Sequence, residues 1–192
     1  MLRIVGGEFK GRKLLSLPKG IEGVRPSSSR VRGAIFDRLQ GEVVGARVLD
    51  LFAGSGALSF EALSRGAAFA QLVERARPLQ RHLERQIIEL RVGSKTRLAK
   101  SSAEGFMGLP CGEPFDLVFV DPPYADLDAY AAVLDGLVSG GWLASEAVVV
   151  VERARRASLA AWPEVLREEA EKRHGDSLLH FLRAPRGAST RA

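Results

Sequence analysis

The sequence is poor in cysteine and lacks long apolar runs. Cys111 is the only cysteine in 192 residues, so no disulfide can form within the chain. The apolar runs, such as residues 147–151, have the length of a strand and are too short to cross a membrane. The first residues lack the charged, apolar and small-residue pattern of a secretory signal. We therefore expect a soluble cytoplasmic protein without membrane contact.

Acidic residues are scarce at the start of the chain. The first 40 positions hold nine Lys and Arg against three Asp and Glu. The whole chain has 28 basic and 23 acidic residues, so beyond position 40 the two signs nearly balance at 19 and 20. A basic excess confined to one end indicates a polyanionic partner such as nucleic acid. A solvated, charged surface would give the same composition, and both interpretations stay open.

From residue 47 onward, apolar β-branched runs alternate with amphipathic helical runs. This alternation predicts parallel strands covered by helices on both faces. Residues 165–184 instead contain two strand-like runs around a His-Gly-Asp turn, which predicts a closing antiparallel hairpin. We predict one doubly wound α/β domain with a mostly parallel, seven-stranded sheet over residues 26–185. A basic, β-hairpin-like extension (1–25) precedes it, and a flexible tail (186–192) follows.

One predicted strand ends in an unusual group of residues. The apolar residues 117–120 run into Asp121, Pro122, Pro123 and Tyr124. The two prolines stop both helix and sheet pairing, so the acid, the kink and the ring have fixed relative positions. In open α/β sheets, ligands bind at the carboxyl ends of the strands. The group is therefore either part of a ligand site or a plain strand-ending turn.

A second informative stretch is the glycine turn at Gly54 and Gly56, between a predicted strand and a helix. Glycine there allows a tight turn and close approach of a ligand, but Ser59 replaces the third glycine of the dinucleotide fingerprint. Asp50 precedes the turn; its carboxylate would repel a pyrophosphate and attract an ammonium group, which favours a cationic, amino-acid-bearing cofactor over NAD. Glu74 ends the next strand, where it either accepts ribose hydroxyls or is an ordinary solvated acid.

These motifs resemble a known family. AGSGALSFEALSRGA (53–67) and FVDPPY (119–124) resemble the class I S-adenosylmethionine-dependent methyltransferases, which have a Rossmann-like fold. RIVGGEFKGRKL (3–14) and RPSSSRVRGAIFDRL (25–39) are similar to the bacterial guanine-N2 methyltransferases of small-subunit ribosomal RNA. The resemblance extends from about residue 2 to residue 182.

The resemblance implies S-adenosylmethionine as cofactor, S-adenosylhomocysteine as product, and no metal. Asp121 and the carbonyl of Pro122 would accept hydrogen bonds from the exocyclic amine of the target base. Pro122 and Pro123 form the kink that holds these acceptors in place. Tyr124 would stack on the base after it leaves its helical stack. The implied cofactor-binding residues are Asp50, Phe52, Ala53, Gly54, Gly56, Glu74, Ser102 and Asp121. The implied RNA-binding residues are Arg3, Lys10, Arg12, Lys13, Arg25, Arg30 and Arg32.

The chain departs from the family pattern at four positions. Ser102 stands where the family usually has an acid that recognises the adenine amine of the cofactor. Ala76, Ser29 and Gly33 also replace acids that are common in the family. None of these changes alters Asp121 or Tyr124.

We predict methyl transfer to the N2 amine of a guanine in small-subunit (16S) ribosomal RNA, by a monomer that acts on a partly or fully assembled 30S subunit. Four alternatives stay open. The same Asp-Pro-Pro-Tyr group would serve the N6 amine of adenine in DNA or RNA. A protein-glutamine methyltransferase would prefer asparagine at position 121 and gives no reason for the basic N-terminal extension. The chain could also be a non-catalytic RNA-binding assembly factor, or an NAD oxidoreductase.

Overall fold

The structure is a computed structural model that describes residues 2–18, 28–122, 127–155 and 162–187, with only the backbone for 127–129. Within these residues the α-helices are α1 (Ser29–Arg38), α2 (Ala57–Ser64), α3 (Arg77–Leu90), α4 (Ala103–Met107) and α5 (Leu127–Ser139). The strands are β1 (Arg47–Asp50), β2 (Phe69–Val73), β3 (Thr96–Ala99), β4 (Phe115–Val120), β5 (Leu143–Ala154), β6 (Arg167–His174) and β7 (Ser177–Arg183).

The strands form one seven-stranded sheet in the order β3-β2-β1-β4-β5-β7-β6. The first five strands are parallel, and β7 pairs antiparallel with both β5 and β6. The chain reverses direction across the sheet between β1 and β4, which is the switch point where such sheets bind ligands. The predicted doubly wound fold and its C-terminal antiparallel hairpin are confirmed.

Two apolar clusters cover the faces of the sheet. Helices α1 and α2 pack on one face, where Ile35, Phe36 and Phe60 contact strand residues such as Phe119. Helix α5 packs on the other face through Tyr130, Val133 and Leu137 among its members. Alternate residues of the central strands point to opposite faces, so both clusters are built from continuous apolar runs such as residues 147–151.

The N-terminal residues 2–18, hereafter the leader, form a hairpin-shaped loop with one antiparallel bridge, Arg3 to Lys13. The buried carboxylate of Glu61 on α2 accepts hydrogen bonds from the backbone N–H groups of Val5 and Gly6, each at 2.7 Å. The side chain of Gln86 on α3 accepts another from the N–H of Leu15 at 2.6 Å. The leader is therefore fixed to α2 and α3 by buried polar groups.

The leader packs against the C-terminal halves of α2 and α3. It contacts Ser64, the last residue of α2, and Glu89, near the end of α3. Helices in parallel α/β units run antiparallel to their strands, so these contacts lie toward the edge where the strands begin. At another point of the leader, the carbonyl of Arg3 accepts a hydrogen bond from Arg32, near the start of α1.

The remaining boundaries agree with local sequence signals. The hydroxyl of Ser28 caps α1 by accepting a hydrogen bond from the N–H of Val31, as the serine run predicts. Residues 188–192 of the predicted tail lie outside the described residues. In the part of the chain that the structure describes, no helix has both the length and the apolar composition needed to span a bilayer.

Candidate active site

The glycine turn connects β1 to α2 at the carboxyl edge of the sheet. Gly54 and Gly56 have positive φ angles of 52° and 72°. A Cβ on Gly56 would lie 2.3 Å from the ring of Phe60, so this position requires glycine. Phe52 and Ala53 form the rest of the turn, and the N–H of Ala53 donates to the carbonyl of Val73 at 3.0 Å. The turn therefore lies between the ends of β1 and β2.

Asp50 is the last residue of β1 and is buried. Its carboxylate accepts a hydrogen bond from the hydroxyl of Ser59 at 2.7 Å. Burial raises the pKa of Asp50 to about 6, although hydrogen bonds from the Ser59 hydroxyl and the N–H of Phe52 oppose the rise. Ser59 occupies the position of the missing fingerprint glycine, and its hydroxyl holds the Asp50 carboxylate in place.

Glu74 follows β2 and is buried beside the glycine turn. One carboxylate oxygen accepts from the N–H of Gly54 at 2.9 Å, and the other accepts from the N–H of Ala76 at 2.7 Å. A carboxylate can accept about four hydrogen bonds, so ribose hydroxyls could still donate to this group. The backbone thus fixes the carboxylate at the position that the sequence predicts for ribose binding.

Asp121 and Pro122 directly follow β4, at the switch point. Burial, together with the negative charges of Glu152 and Asp50, raises the pKa of Asp121 well above its ordinary value. A positive ligand would offset this repulsion, so the site is suited to a cationic cofactor. Pro123 and Tyr124 lie outside the described residues.

Glu152, near the end of β5, is a member of the site that the sequence did not predict. In the β4–β5 register, Val120 is paired with Val151, so Asp121 and Glu152 are the next residues on neighbouring strands. Glu152 is 5% exposed, and its carboxylate accepts a hydrogen bond from the hydroxyl of Ser177 at 2.8 Å. A usable signal was present: Glu152 follows an apolar run, as Asp50 and Asp121 do.

Ser102 follows β3 and caps α4. Its hydroxyl oxygen accepts a hydrogen bond from the N–H of Gly105 at 3.1 Å. Strand β3 ends at Ala99, and residues 100–102 lead into the cap. The hydroxyl proton of Ser102 can donate, whereas the usual family acid could only accept.

Comparisons with known proteins agree with this geometry. A model of the family described as Conserved hypothetical protein 95 matches residues 2–183. The chain belongs to this family. It is also similar to ribosomal RNA small subunit methyltransferase D of Escherichia coli strain K12, with 42% identity over 79% of this chain and 74% of the relative. A protein of the same name from Haemophilus influenzae is 34% identical over 79% of this chain and 78% of its own length.

The fold has a close counterpart among solved structures. The Escherichia coli protein yhhF aligns with a TM-score of 0.86 and 36% identity, covering 96% of this chain and 98% of that one. The sequence and structure comparisons confirm the predicted methyltransferase class.

The basic residues predicted to bind RNA fall into two groups. Arg3, Lys10, Arg12 and Lys13 are exposed on the leader, whereas Arg30 is exposed in the first turn of α1. Arg12 also donates to the carbonyl of Glu89 at 3.0 Å. Arg30 lies two residues before Arg32, whose side chain contacts the leader, so the two groups lie on neighbouring elements. Arg25 lies outside the described residues.

The prediction for Arg32 is wrong. Arg32 is 1% exposed, and its guanidinium donates to the carbonyl of Arg3 at 2.6 Å. A side chain buried beneath the leader cannot reach a phosphate on a bound RNA. Arg32 instead links α1 to the leader. The sequence does not distinguish it from Arg30, which lies on the same helix and is exposed.

A further polar group lies on β6 and β7. Ligand atoms of Glu168, Glu171 and His180 lie within 4.8 Å of one another, although the sequence spacing gives no metal signature. The His180 ring accepts from Arg153 at 2.8 Å through Nε2, and its Nδ1–H donates to Glu168 at 2.6 Å. Both ring nitrogens thus have protein partners, and the arginine charge disfavours a metal cation. This group is accounted for by hydrogen bonding.

Proposed function

We propose that the protein transfers a methyl group from S-adenosylmethionine to the exocyclic N2 amine of a guanine in small-subunit ribosomal RNA. The observation that carries this proposal is the position of Asp121 and the Pro122 carbonyl beside the glycine turn, at the switch point of the sheet. The relatives named ribosomal RNA small subunit methyltransferase D support this acceptor. The reaction as proposed needs no metal.

The residues of the site suit S-adenosylmethionine. The buried carboxylate of Asp50 would attract its ammonium group, and Glu74 would accept hydrogen bonds from the ribose hydroxyls. Phe52, Ala53, Gly54 and Gly56 would lie along the cofactor, with Ser102 near the adenine. When bound, the cofactor supplies a methyl group on a positively charged sulfur, which takes the electron pair of the broken carbon–sulfur bond.

Asp121 would act on the amine of the base. The N2 lone pair of guanine is delocalised into the ring, which makes the nitrogen a weak nucleophile. The carboxylate of Asp121 and the carbonyl of Pro122 would accept its two hydrogen bonds, align the nitrogen and stabilise its developing positive charge. As the nitrogen–carbon bond forms, one N2 proton moves to the Asp121 carboxylate, whose raised pKa suits a proton acceptor.

The leader would bind RNA phosphates at a distance from the target base. Its exposed cations are Arg3, Lys10, Arg12 and Lys13, on a segment that packs against the C-terminal halves of α2 and α3. Such contacts position the substrate without reading its sequence. One family model covers residues 2–183. We propose that a partly or fully assembled 30S subunit supplies further recognition to a monomeric, cytoplasmic enzyme.

The test is transfer of labelled methyl groups to naked small-subunit RNA, to protein-assembled unmethylated subunits and to duplex DNA. Digestion to nucleosides then identifies the product. We expect N2-methylguanosine from the RNA samples, with faster transfer to the assembled subunit. Equal rates on naked RNA would remove the proposed role of assembly.

Other products would identify the alternatives. Formation of N6-methyladenosine would support methyl transfer to an exocyclic amine but would identify adenine, not guanine, as the acceptor. Cofactor binding without transfer to any substrate would favour the non-catalytic assembly factor. A titration with NAD in place of S-adenosylmethionine tests the oxidoreductase, whose pyrophosphate the buried carboxylate of Asp50 would repel.

A further inference from the structure

Four acidic residues follow one another along the carboxyl edge of the sheet. In strand order they are Glu74 after β2, Asp50 at the end of β1, Asp121 after β4 and Glu152 on β5. The cofactor site of the proposed function involves the first two, on one side of the switch point. Glu152 lies on the other side, next to Asp121, where the accepted base must approach.

Glu152 points to the same face of the sheet as Asp121. The register pairs Asp50 with Phe119 and Phe119 with Val150. Asp121 comes two residues after Phe119, and Glu152 comes two residues after Val150. Because side chains alternate along a strand, Asp121 and Glu152 point to the same face as this pair. The charge of Glu152 also contributes to the raised pKa of Asp121, which agrees with close placement.

The carboxylate of Glu152 is held in a fixed orientation. The hydroxyl of Ser177, on β7, donates to one of its oxygens at 2.8 Å. The phenol of Tyr130, on α5, donates to the main-chain carbonyl of the same residue at 2.8 Å. The bond from Ser177 orients the Glu152 carboxylate, and a carboxylate can accept about four hydrogen bonds, so it can bind several donors at once.

The hydrogen-bonding edge of guanine matches two neighbouring carboxylates. Guanine presents two adjacent donors, the N1–H and the N2 amine, whereas adenine presents an N1 lone pair beside its N6 amine. We propose that Glu152 accepts a hydrogen bond from the N1–H of the target guanine while Asp121 accepts one from its N2 amine. Glu152 is then the residue that selects guanine over adenine, and this inference rests on the proposed function.

The selection works by repulsion as well as by attraction. An adenine bound in the same orientation would place its N1 lone pair against the Glu152 carboxylate, with no proton between two acceptors. Sites built around a substrate hydrogen bond can reject analogues that lack it by factors of about 10⁴. Glu152 would thus discriminate between guanine and adenine, whereas Asp121 alone would accept a hydrogen bond from the exocyclic amine of either base.

The test uses small-subunit RNA in which the methylated guanine, once mapped, is replaced by 2-aminopurine. This base keeps the exocyclic amine at C2 and has a lone pair instead of a proton at N1. We expect the wild-type rate constant for transfer to fall by at least about 100-fold on this substrate. Comparable wild-type rates on both bases would overturn the inference, whatever any variant does.

The variant Glu152→Gln tests the residue itself, because its amide can donate to the N1 of 2-aminopurine. We expect slower transfer to guanine and a preference for guanine over 2-aminopurine that falls at least about tenfold. The exposed Glu164→Gln is the matched control and should keep the wild-type preference. An unchanged preference in folded Glu152→Gln would also overturn the inference.

Ser177→Ala provides a second route if Glu152→Gln does not fold. It removes the hydroxyl that orients Glu152, so the preference should fall by a smaller factor, about threefold. Failure of this inference is separable from failure of the proposed function. If the wild type makes no N2-methylguanosine on unmodified RNA, the proposed function fails, whereas normal N2-methylguanosine with an unchanged preference rejects only the role of Glu152.

Discussion

Two carboxyl groups at the strand ends, those of Asp50 and Asp121, lie in surroundings that disfavour the ionised form. Asp50 is 2% exposed, and burial is the main cause of the raised pKa at both Asp50 and Asp121. A protein that uses such groups for stability alone would pair each with a cation. Among the residues that the structure describes, neither Asp50 nor Asp121 has a salt-bridge partner, and the proposed cofactor would bring a positive sulfonium and an ammonium group.

Replacement of Asp121 tests the chemistry directly. In Asp121→Ala, the amine of the base loses its charged acceptor, so we expect single-turnover methyl transfer to fall by at least about 10³-fold. RNA affinity should stay within about threefold of wild type, because the leader cations are unchanged. Asp135→Asn, an exposed acid on α5, is the control. A residual rate above a tenth of wild type would contradict the role of Asp121.

The raised pKa of Asp50 makes stability depend on pH. The folded protein holds a proton on Asp50 up to about pH 6, whereas the unfolded chain releases it near 3.8. Stability contributed by this group therefore declines as pH rises through that interval, by about 2–3 kcal/mol. We expect Asp50→Asn to raise the free energy of unfolding by about 1–3 kcal/mol at pH 8 and little at pH 4. Urea unfolding at both pH values measures this, and a pH-independent difference would count against it.

Among the elements, those specified by local sequence were predictable and those specified by distant contacts were not. The strand–turn–helix units from β1 to β5 follow from apolar periodicity, caps and glycines close in the chain. The burial of Arg32 depends on the carbonyl of Arg3, which the sequence does not place nearby. Glu152 follows an apolar run, but its position beside Asp121 depends on strand order, which its own neighbours in the sequence do not give.

The attachment of the leader to α2 can be tested with two glycines. Gly7 and Gly11 both have positive φ angles, of 76° and 83°. A Cβ on Gly7 would lie 1.9 Å from the backbone oxygen of Ser64, whereas one on Gly11 would meet nothing within 4 Å. Both alanine variants bear the left-handed backbone strain of about 1–2 kcal/mol, but only Gly7→Ala adds a backbone clash.

We therefore expect Gly7→Ala to lower the free energy of unfolding by about 2 kcal/mol more than Gly11→Ala. Trypsin should also cut near Arg12 faster in Gly7→Ala, because the displaced leader becomes accessible. Urea unfolding and limited proteolysis measure the two effects. Equal behaviour of the two variants would show that the close approach to Ser64 does not hold the leader in place.

At the scale of the whole molecule, charge is divided between two regions. The leader presents exposed cations, and the carboxyl edge of the sheet carries four acids. Phosphates are attracted to the first region and repelled by the second. A base can therefore enter the site only when its own backbone stays outside, which favours a nucleotide turned out of its stack.

This division predicts how RNA affinity depends on salt. In the triple variant Lys10→Gln, Arg12→Gln and Lys13→Gln, the slope of log affinity against log salt should decrease by about 1 for each phosphate that the leader no longer neutralises. Affinity at low salt should fall about 10–100-fold for any RNA sequence. Arg173→Gln, on the opposite edge strand β6, is the control. Filter binding at several salt concentrations measures both, and an unchanged slope would exclude these residues from the RNA interface.

The last strand in the chain is not the last strand in the sheet. β7 lies between β5 and β6, so during synthesis the valines of β5 have an open edge until residues 177–183 emerge from the ribosome. An open apolar edge is a site for aggregation. Ser177, which orients Glu152, arrives with the same strand. An enzyme proposed to modify ribosomal RNA thus cannot complete its own active site while the ribosome that makes it still encloses its final strand.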